Sequence, residues 1–270
     1  MTKYIDLKNK VVVISGAAGN LAQDLILEYI KNDAIVFGLD NDLKKLNLNF
    51  KKIKYIHPNS RIFSIKCNIA LEQEVIKAIK SIFKKFKRVD ILINNAATKT
   101  KNLKNFFKNF QNFNFKDWKE IMGVNIDGAF LLSREISKIM ISQKSGNIIS
   151  IASIQGVLGN DKRLYKSSKF KGVQMSSPAV YSTSKSALIG LTRYLSTFLG
   201  EYNIRANSIS PGGLLGGQNK TFIRNYSKKV PLKRMGKIHE VVESILFLSS
   251  EKSSYITGQN ILVDGGYTAW

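Results

Sequence analysis

One cysteine, Cys67, and two histidines, His57 and His239, are all that 270 residues offer of the softer metal ligands. A single thiol excludes an intrachain disulfide and a thiolate metal cluster, and two isolated imidazoles are too few to suggest zinc. No metal is expected. Acidic residues are also scarce, with 19 Asp and Glu against 42 Lys and Arg, for a formal net charge of +23. No apolar run approaches the ~20 residues that cross a bilayer, and the amino terminus has no apolar signal core. The expectation is therefore a cytoplasmic protein with no membrane partner. What is present, 44% hydrophobic residues in 270, is enough to bury a large core. One sizeable α/β domain spanning 1–270 fits that length.

The excess of lysine has two readings. A nucleic-acid or anionic-membrane partner would ask for cations gathered into a stripe or accompanied by a binding motif. Lysine recurs from Lys3 to Lys252 without forming one stripe. A background composition bias is the favoured reading, and no nucleic-acid partner is expected. The field would still attract an anionic small-molecule substrate.

Along the chain, short β-branched runs alternate with amphipathic stretches. Val11-Val12-Val13-Ile14 reads as a buried parallel strand. It enters Ser15-Gly16-Ala17-Ala18-Gly19-Asn20-Leu21-Ala22 and then a helix to about residue 31. A strand, a glycine turn and a helix in that order present backbone N–H groups to a pyrophosphate. A second strand over 34–39 ends at Asp40, 24 residues after Gly16. A carboxylate at that tip binds adenosine ribose hydroxyls and repels a 2′-phosphate, which selects NAD over NADP, although Lys44 and Lys45 lie close by. Further strands are read at 61–66, ending near Asn68, at 90–93, at 147–152, at 204–209 and at 260–263. Together they predict a Rossmann-type doubly wound parallel sheet of about seven strands in one domain.

The loops carry the remaining signals. Asn94-Asn95-Ala96-Ala97 follows the fourth strand, and the Lys-, Asn- and Phe-rich segment 98–115 reads as a wall of a substrate pocket. A long helix over 117–143 contains Asn125 between Gly123 and Gly128, residue types that make a local distortion unsurprising. Ser153 stands at the carboxyl end of the fifth strand. A polar, basic insertion occupies about 157–180, and the glycines of 212–217, with the basic residues that follow to 234, read as a mobile flap. Tyr181 and Lys185 are four residues apart at the head of a helix, so both can face one cleft. A nearby cation would lower the phenol from its ordinary pKa of about 10. Spacing alone does not choose this pair, because Tyr165 and Lys169 share it.

Taken in order, these segments resemble the short-chain dehydrogenase/reductase family over essentially the whole chain. The resemblance rests on the turn 15–22, Asn94-Asn95-Ala96-Ala97, Asn125, Ser153, Tyr181 with Lys185, Pro211-Gly212, and the ending Thr257-Gly258-Gln259 through Asp264-Gly265-Gly266. The helix, strand and Pro-Gly that follow Lys185 select Tyr181, and Tyr165 falls in the insertion. The family implies a catalytic tetrad. Tyr181 is its general acid or base, Lys185 lowers the Tyr181 pKa and holds the nicotinamide ribose, Ser153 holds the substrate oxygen, and Asn125 positions a water leading to Lys185. By the same resemblance Ser15, Gly16, Asn20, Leu21, Asp40, Asn68, Asn94, Ala96, Pro211 and Gly212, with Tyr181 and Lys185, contact NAD, or less readily NADP. Asn20, Ala22, Asn68 and Ala97 depart from the residues usual in the family.

A narrower resemblance comes from the long insertion, the 98–115 loop and the terminal Tyr267-Thr268-Ala269-Trp270. These look like bacterial oxidoreductases of flagellin modification and surface-sugar biosynthesis. That resemblance implies a phosphorylated or nucleotide-linked sugar as substrate. A 3-oxoacyl-(acyl-carrier-protein) reductase is the alternative within enzymes, and a non-catalytic nucleotide-sensing or RNA-binding protein the alternative outside them. The family also implies a homo-oligomer, a tetramer or dimer.

Overall fold

The computed structural model describes residues 5–270. Seven strands form one parallel sheet in the order Arg61–Lys66, Ile35–Asp40, Val11–Ser15, Ile91–Asn94, Gly146–Ile151, Ile204–Pro211 and Asn260–Val263. In chain order the elements are β1 (Val11–Ser15), α1 (Asn20–Lys31), β2 (Ile35–Asp40), α2 (Leu43–Ile56), β3 (Arg61–Lys66), α3 (Glu72–Phe86) and β4 (Ile91–Asn94). The short α4 (Leu103–Phe106) and α5 (Phe115–Met122) precede α6 (Gly128–Gln143) and β5 (Gly146–Ile151). A small hairpin, β6 (Lys169–Phe170) and β7 (Val173–Gln174), then leads to α7 (Ala179–Leu199), β8 (Ile204–Pro211), α8 (Lys220–Lys229), α9 (Ile238–Ser249) and β9 (Asn260–Val263).

Period-two alternation decides which helices cover which face. Val12, Ile14, Val36 and Ile93 turn toward α1, α2 and α9, where Leu25, Ile26, Phe50, Val242 and Ile245 are buried. Val11, Val13, Phe37 and Leu92 turn the other way, onto Val75 and Ile79 of α3, Leu132 and Ile136 of α6, and Leu195 of α7. A sheet buried on both faces explains why its strands read as unbroken apolar runs. The chain winds outward from β1 toward β3, then returns to place β4 on the other side of β1. Parallel strands leave a crevice beyond their carboxyl ends at that reversal.

The structure bears on three of the sequence expectations. The long helix is broken as anticipated, by a π-helical turn over Gly123–Asp127 that puts one extra residue into the ladder. The insertion is not a plain polar loop. It holds a 3₁₀ turn (Lys162–Tyr165) and the antiparallel β6-β7 hairpin, and it buries Leu164, Tyr165 and Ser168. The expected flap after β8 contains α8, whose Phe222 and Tyr226 are spaced four apart on one face and pack with Leu164 and Tyr165 of the insertion. Apolar anchors at that helical spacing overrode the glycine-rich approach to the segment.

Candidate active site

The crevice begins at the turn between β1 and α1. Gly16 has φ +64, and a Cβ there would stand 2.7 Å from Ala96 Cα, so both the backbone conformation and the close approach require glycine. Gly19, before α1, offers no capping side chain to the first amides of the helix. Those amides stay available to an anion. At the tip of β2, one Asp40 carboxylate oxygen accepts from the Ala18 N–H at 2.9 Å and the other from the Asp42 N–H at 2.9 Å. Asn20 is exposed at the head of α1, and Leu21, Pro211 and Gly212 line the cavity next door.

Three of the expected cofactor residues turn elsewhere. Ser15 is fully buried, and its hydroxyl accepts from the N–H groups of Asn95 and Ala96, each at 3.1 Å. It stitches β1 to the end of β4. Asn94 is also buried, with its amide donating to Ser133 Oγ of α6 at 3.0 Å. A strand residue points to alternate faces, so its neighbour Asn95 is the one that lines the cavity, with an amide donating to the carbonyls of Ser15 and Gly16. Ala96 serves by packing under Gly16. Asn68 is occupied by its own loop, since Oδ1 accepts from the Ala70 N–H at 3.1 Å.

The chemistry is gathered where α7 meets the carboxyl end of β5. Ser153, nearly buried, follows β5, and its hydroxyl is hydrogen-bonded to that of Tyr181. Lys185 lies one turn further along α7, with Nζ donating to the Ile151 carbonyl at 2.6 Å and lying 5.8 Å from the centre of the Tyr181 ring. Gly156 permits this approach, because a Cβ there would come within 2.8 Å of the Lys185 backbone.

Burial pushes the Lys185 ammonium down to about 8. It pushes Tyr181 up, against a smaller lowering by the Ser153 hydrogen bond. The expected depression of the phenol by its lysine is therefore not found. Lys185 is aimed at a carbonyl rather than at the phenolic oxygen, and desolvation dominates both groups.

Asn125 is buried in the π turn. Its Oδ1 accepts from the Thr98 N–H at 2.9 Å and its amide donates to Ser184 Oγ at 3.1 Å, so it ends on the residue before Lys185 rather than on Lys185 itself. It ties the loop after β4 to α7.

Tyr165 belongs to the insertion, yet its side chain returns to the same cavity as Tyr181, a space of about 370 Å³. Its hydroxyl accepts from Gln155 Nε2 at 2.9 Å. Tyr165, Phe222, Tyr226 and Tyr267 form a run of stacked rings along one wall. The sequence reading missed Gln155, Asn160, Phe222 and Tyr226. The spacing of Phe222 and Tyr226 was a legible signal of a packed helix, but nothing in it pointed to this wall. The pocket-forming loops are also tied together, with Lys99 Nζ 4.4 Å from the Phe170 ring and Ser176 Oγ donating to the Phe107 carbonyl at 2.7 Å. Among the described residues no cluster of metal-ligating side chains occurs, and no helix is long and apolar enough to cross a membrane.

Comparison with known proteins agrees with this geometry. The model of the short chain dehydrogenase family matches residues 10–178, and a model described as enoyl-(acyl carrier protein) reductase matches residues 167–268. The chain is 30% identical over 267 residues to the 3-oxoacyl-(acyl-carrier-protein) reductase of Buchnera aphidicola subsp. Schizaphis graminum, covering 96% of this chain and 98% of that protein. It is 28% identical to the reductase of the same name from Thermotoga maritima, with 96% and 98% covered. Among solved structures, a short chain dehydrogenase from Leptospira borgpetersenii with bound NAD+ superposes with a TM-score of 0.86 at 32% identity, covering 99% of this chain and 96% of that one. An NAD+-bound xylitol dehydrogenase superposes at 0.80 and 27% identity, with 96% and 99% covered.

The depressed Lys185 has a consequence for stability. A lysine that titrates at about 8 when folded and near 10.4 when unfolded penalises the folded state below pH 8, and the penalty is relieved as pH rises through that window. Lys185→Met removes it at every pH. Urea unfolding should show the stability of the variant relative to the parent falling by about 3 kcal/mol between pH 7.5 and 10.5. A pH-independent difference would mean that Lys185 titrates at its ordinary value.

Proposed function

We propose that this chain, which belongs to the short-chain dehydrogenase/reductase family, is an NAD-dependent oxidoreductase that interconverts a carbonyl group and a secondary alcohol. The observation that carries this reading is the hydrogen-bonded Tyr181–Ser153 pair with Lys185 one turn along α7, at the crevice formed by the Gly16 turn and Asp40. The residues fit a dinucleotide. The Gly16 turn and the uncapped α1 amides would hold its pyrophosphate, Asp40 its adenosine ribose, and Lys185, Pro211 and Gly212 its nicotinamide half. When bound, the nicotinamide supplies or accepts the hydride.

The side chains of this chain handle the oxygen and its proton. In reduction Tyr181 gives its phenolic proton to the carbonyl oxygen, and its raised pKa keeps that proton in place at neutral pH. Ser153 donates to the same oxygen as negative charge develops there. The buried Lys185 cation offsets the charge left on the phenolate, in surroundings where little water screens it. In the oxidative direction the same groups run in reverse.

For the substrate, a 3-oxoacyl thioester on an acyl carrier protein is the reading that the curated relatives favour, since the same enzyme name recurs among them at 28–32% identity. The basic insertion would suit an acidic carrier. An anionic sugar stands second. It is favoured by the hydrogen-bonding rim of Gln155, Asn160, Tyr165 and Tyr226 around the cavity, which suits a substrate rich in hydroxyls. The complete set of Ser153, Tyr181 and Lys185 argues against a non-catalytic sensor. Exposed Phe130 on α6 and the stacked, exposed Tyr194 and Phe198 on α7 support the homo-oligomer expected of the family.

Absorbance at the reduced-nicotinamide band, with 3-oxoacyl thioesters and sugar phosphates as alternatives, tests the reading. Tyr181→Phe should lower kcat by about 10²–10⁴, the range of a general acid, with NAD affinity almost unchanged. Tyr165→Phe should keep most of kcat. The reverse pattern would move the acid to the insertion. Asp40→Ala should weaken NAD binding by about tenfold or more, the worth of a charged hydrogen bond, and leave NADP nearly unaffected. Equal losses by calorimetry would remove Asp40 from cofactor choice.

A further inference from the structure

We propose that a basic groove beside the catalytic cavity binds a phosphate or diphosphate ester carried by the substrate, a proposal that rests on the hydride-transfer reading of the adjoining site. The groove runs between the 3₁₀ turn of the insertion and the carboxyl end of α8. Lys162 and Arg163 line it from the turn, and Lys228 and Lys229 line it from the helix. Leu158, Asn160 and Tyr267 line both this groove and the catalytic cavity, so one extended ligand can occupy the two.

The cations are arranged rather than scattered. Asp161, the only acidic side chain among the described residues that line the groove, pairs with Arg163 at 2.9 Å and with Lys229, and it accepts the Arg163 N–H at 2.9 Å to cap the turn. One acid thus fixes a cation on each wall. Lys162 and Lys228 have no ion-pair partner among the described residues. Four positive side chains facing one negative side chain leave a side-chain excess of positive charge, suited to a phosphate or diphosphate ester and excessive for a neutral ligand.

A ring stands beside these charges. Trp270 is 75% exposed, yet its indole N–H donates to the Lys229 carbonyl at 2.9 Å, which holds its edge against the end of α8. A fixed, exposed indole next to phosphate-binding cations offers a face for stacking. Both substrate readings supply a phosphate ester, one in a phosphopantetheine arm and one in a nucleotide-linked sugar.

Binding to NAD-saturated protein tests the groove separately from the dinucleotide site. In Trp118→Phe protein Trp270 is the remaining tryptophan of the two, and its fluorescence would be followed with inorganic pyrophosphate, uridine 5′-diphosphate and coenzyme A, alongside calorimetry on the parent. Saturable binding that weakens about tenfold or more in Lys162→Ala/Lys228→Ala, the loss expected for charged hydrogen bonds, with NAD affinity unchanged, is the expected result. Tighter binding of the uridine nucleotide than of coenzyme A would assign the groove to a nucleotide-linked substrate, and the opposite order to a pantetheine arm. No binding, or equal binding by the double variant, would overturn the proposal. Failure of NAD itself to saturate would instead sink the hydride-transfer reading, and the comparison with the double variant would still decide the groove.

Discussion

The close approach of α7 to the carboxyl end of β5 sets the geometry of the candidate site. Three contacts enforce it. Lys185 donates its ammonium proton to the Ile151 carbonyl, Gly156 lets the turn after β5 lie against the Lys185 backbone, and the hydroxyls of Ser153 and Tyr181 meet across the gap. Burying a cation is unfavourable, and that cost shows in the depressed pKa of Lys185. Placed there, the cation lies one helical turn from the Tyr181 ring, 5.8 Å from its centre. Under the proposed role of Lys185, function and stability pull in opposite directions there, as expected of a site whose groups are shifted for a task.

The cavity above these groups is closed by segments that do not belong to the parallel sheet. The insertion and α8 pack on each other through Leu164, Tyr165, Phe222 and Tyr226. Neither could bury its apolar face alone. Their joint packing makes a wall of rings in the cavity that Tyr181 also lines, and Lys99 against Phe170 ties that wall to the loop after β4. These elements, rather than the sheet, form the upper wall of the cavity that Tyr181 and Ser153 line.

This division also explains why family likeness and substrate reading are carried by different residues. The fold is what the chain has in common with the NAD+-bound xylitol dehydrogenase, and likeness along almost its whole length is what it has in common with the acyl-carrier-protein reductase. The insertion, α8 and Trp270 line the cavity and the groove beside it. A sheet supports many reactions through the loops at its carboxyl edge, and the function is argued from those loops.

Periodicity and order along the chain were enough for the seven strands, the glycine turn and the Asp40 tip, because a parallel sheet buried on both faces writes itself as β-branched runs, whereas the choice of Tyr181 with Lys185 rested on the family resemblance. The break at Asn125 was legible too, from Gly123 and Gly128 inside a helical stretch. Contacts between distant segments leave no such local trace. Nothing near Asn94 and Asn95 says which of the two faces the crevice, since the register of β4 against β1 decides it. Nothing near Tyr165 says that it returns beside Tyr181, since the packing of α8 decides that. The direction of the Tyr181 pKa shift followed from burial, a property of the whole fold, where spacing alone had suggested the opposite sign.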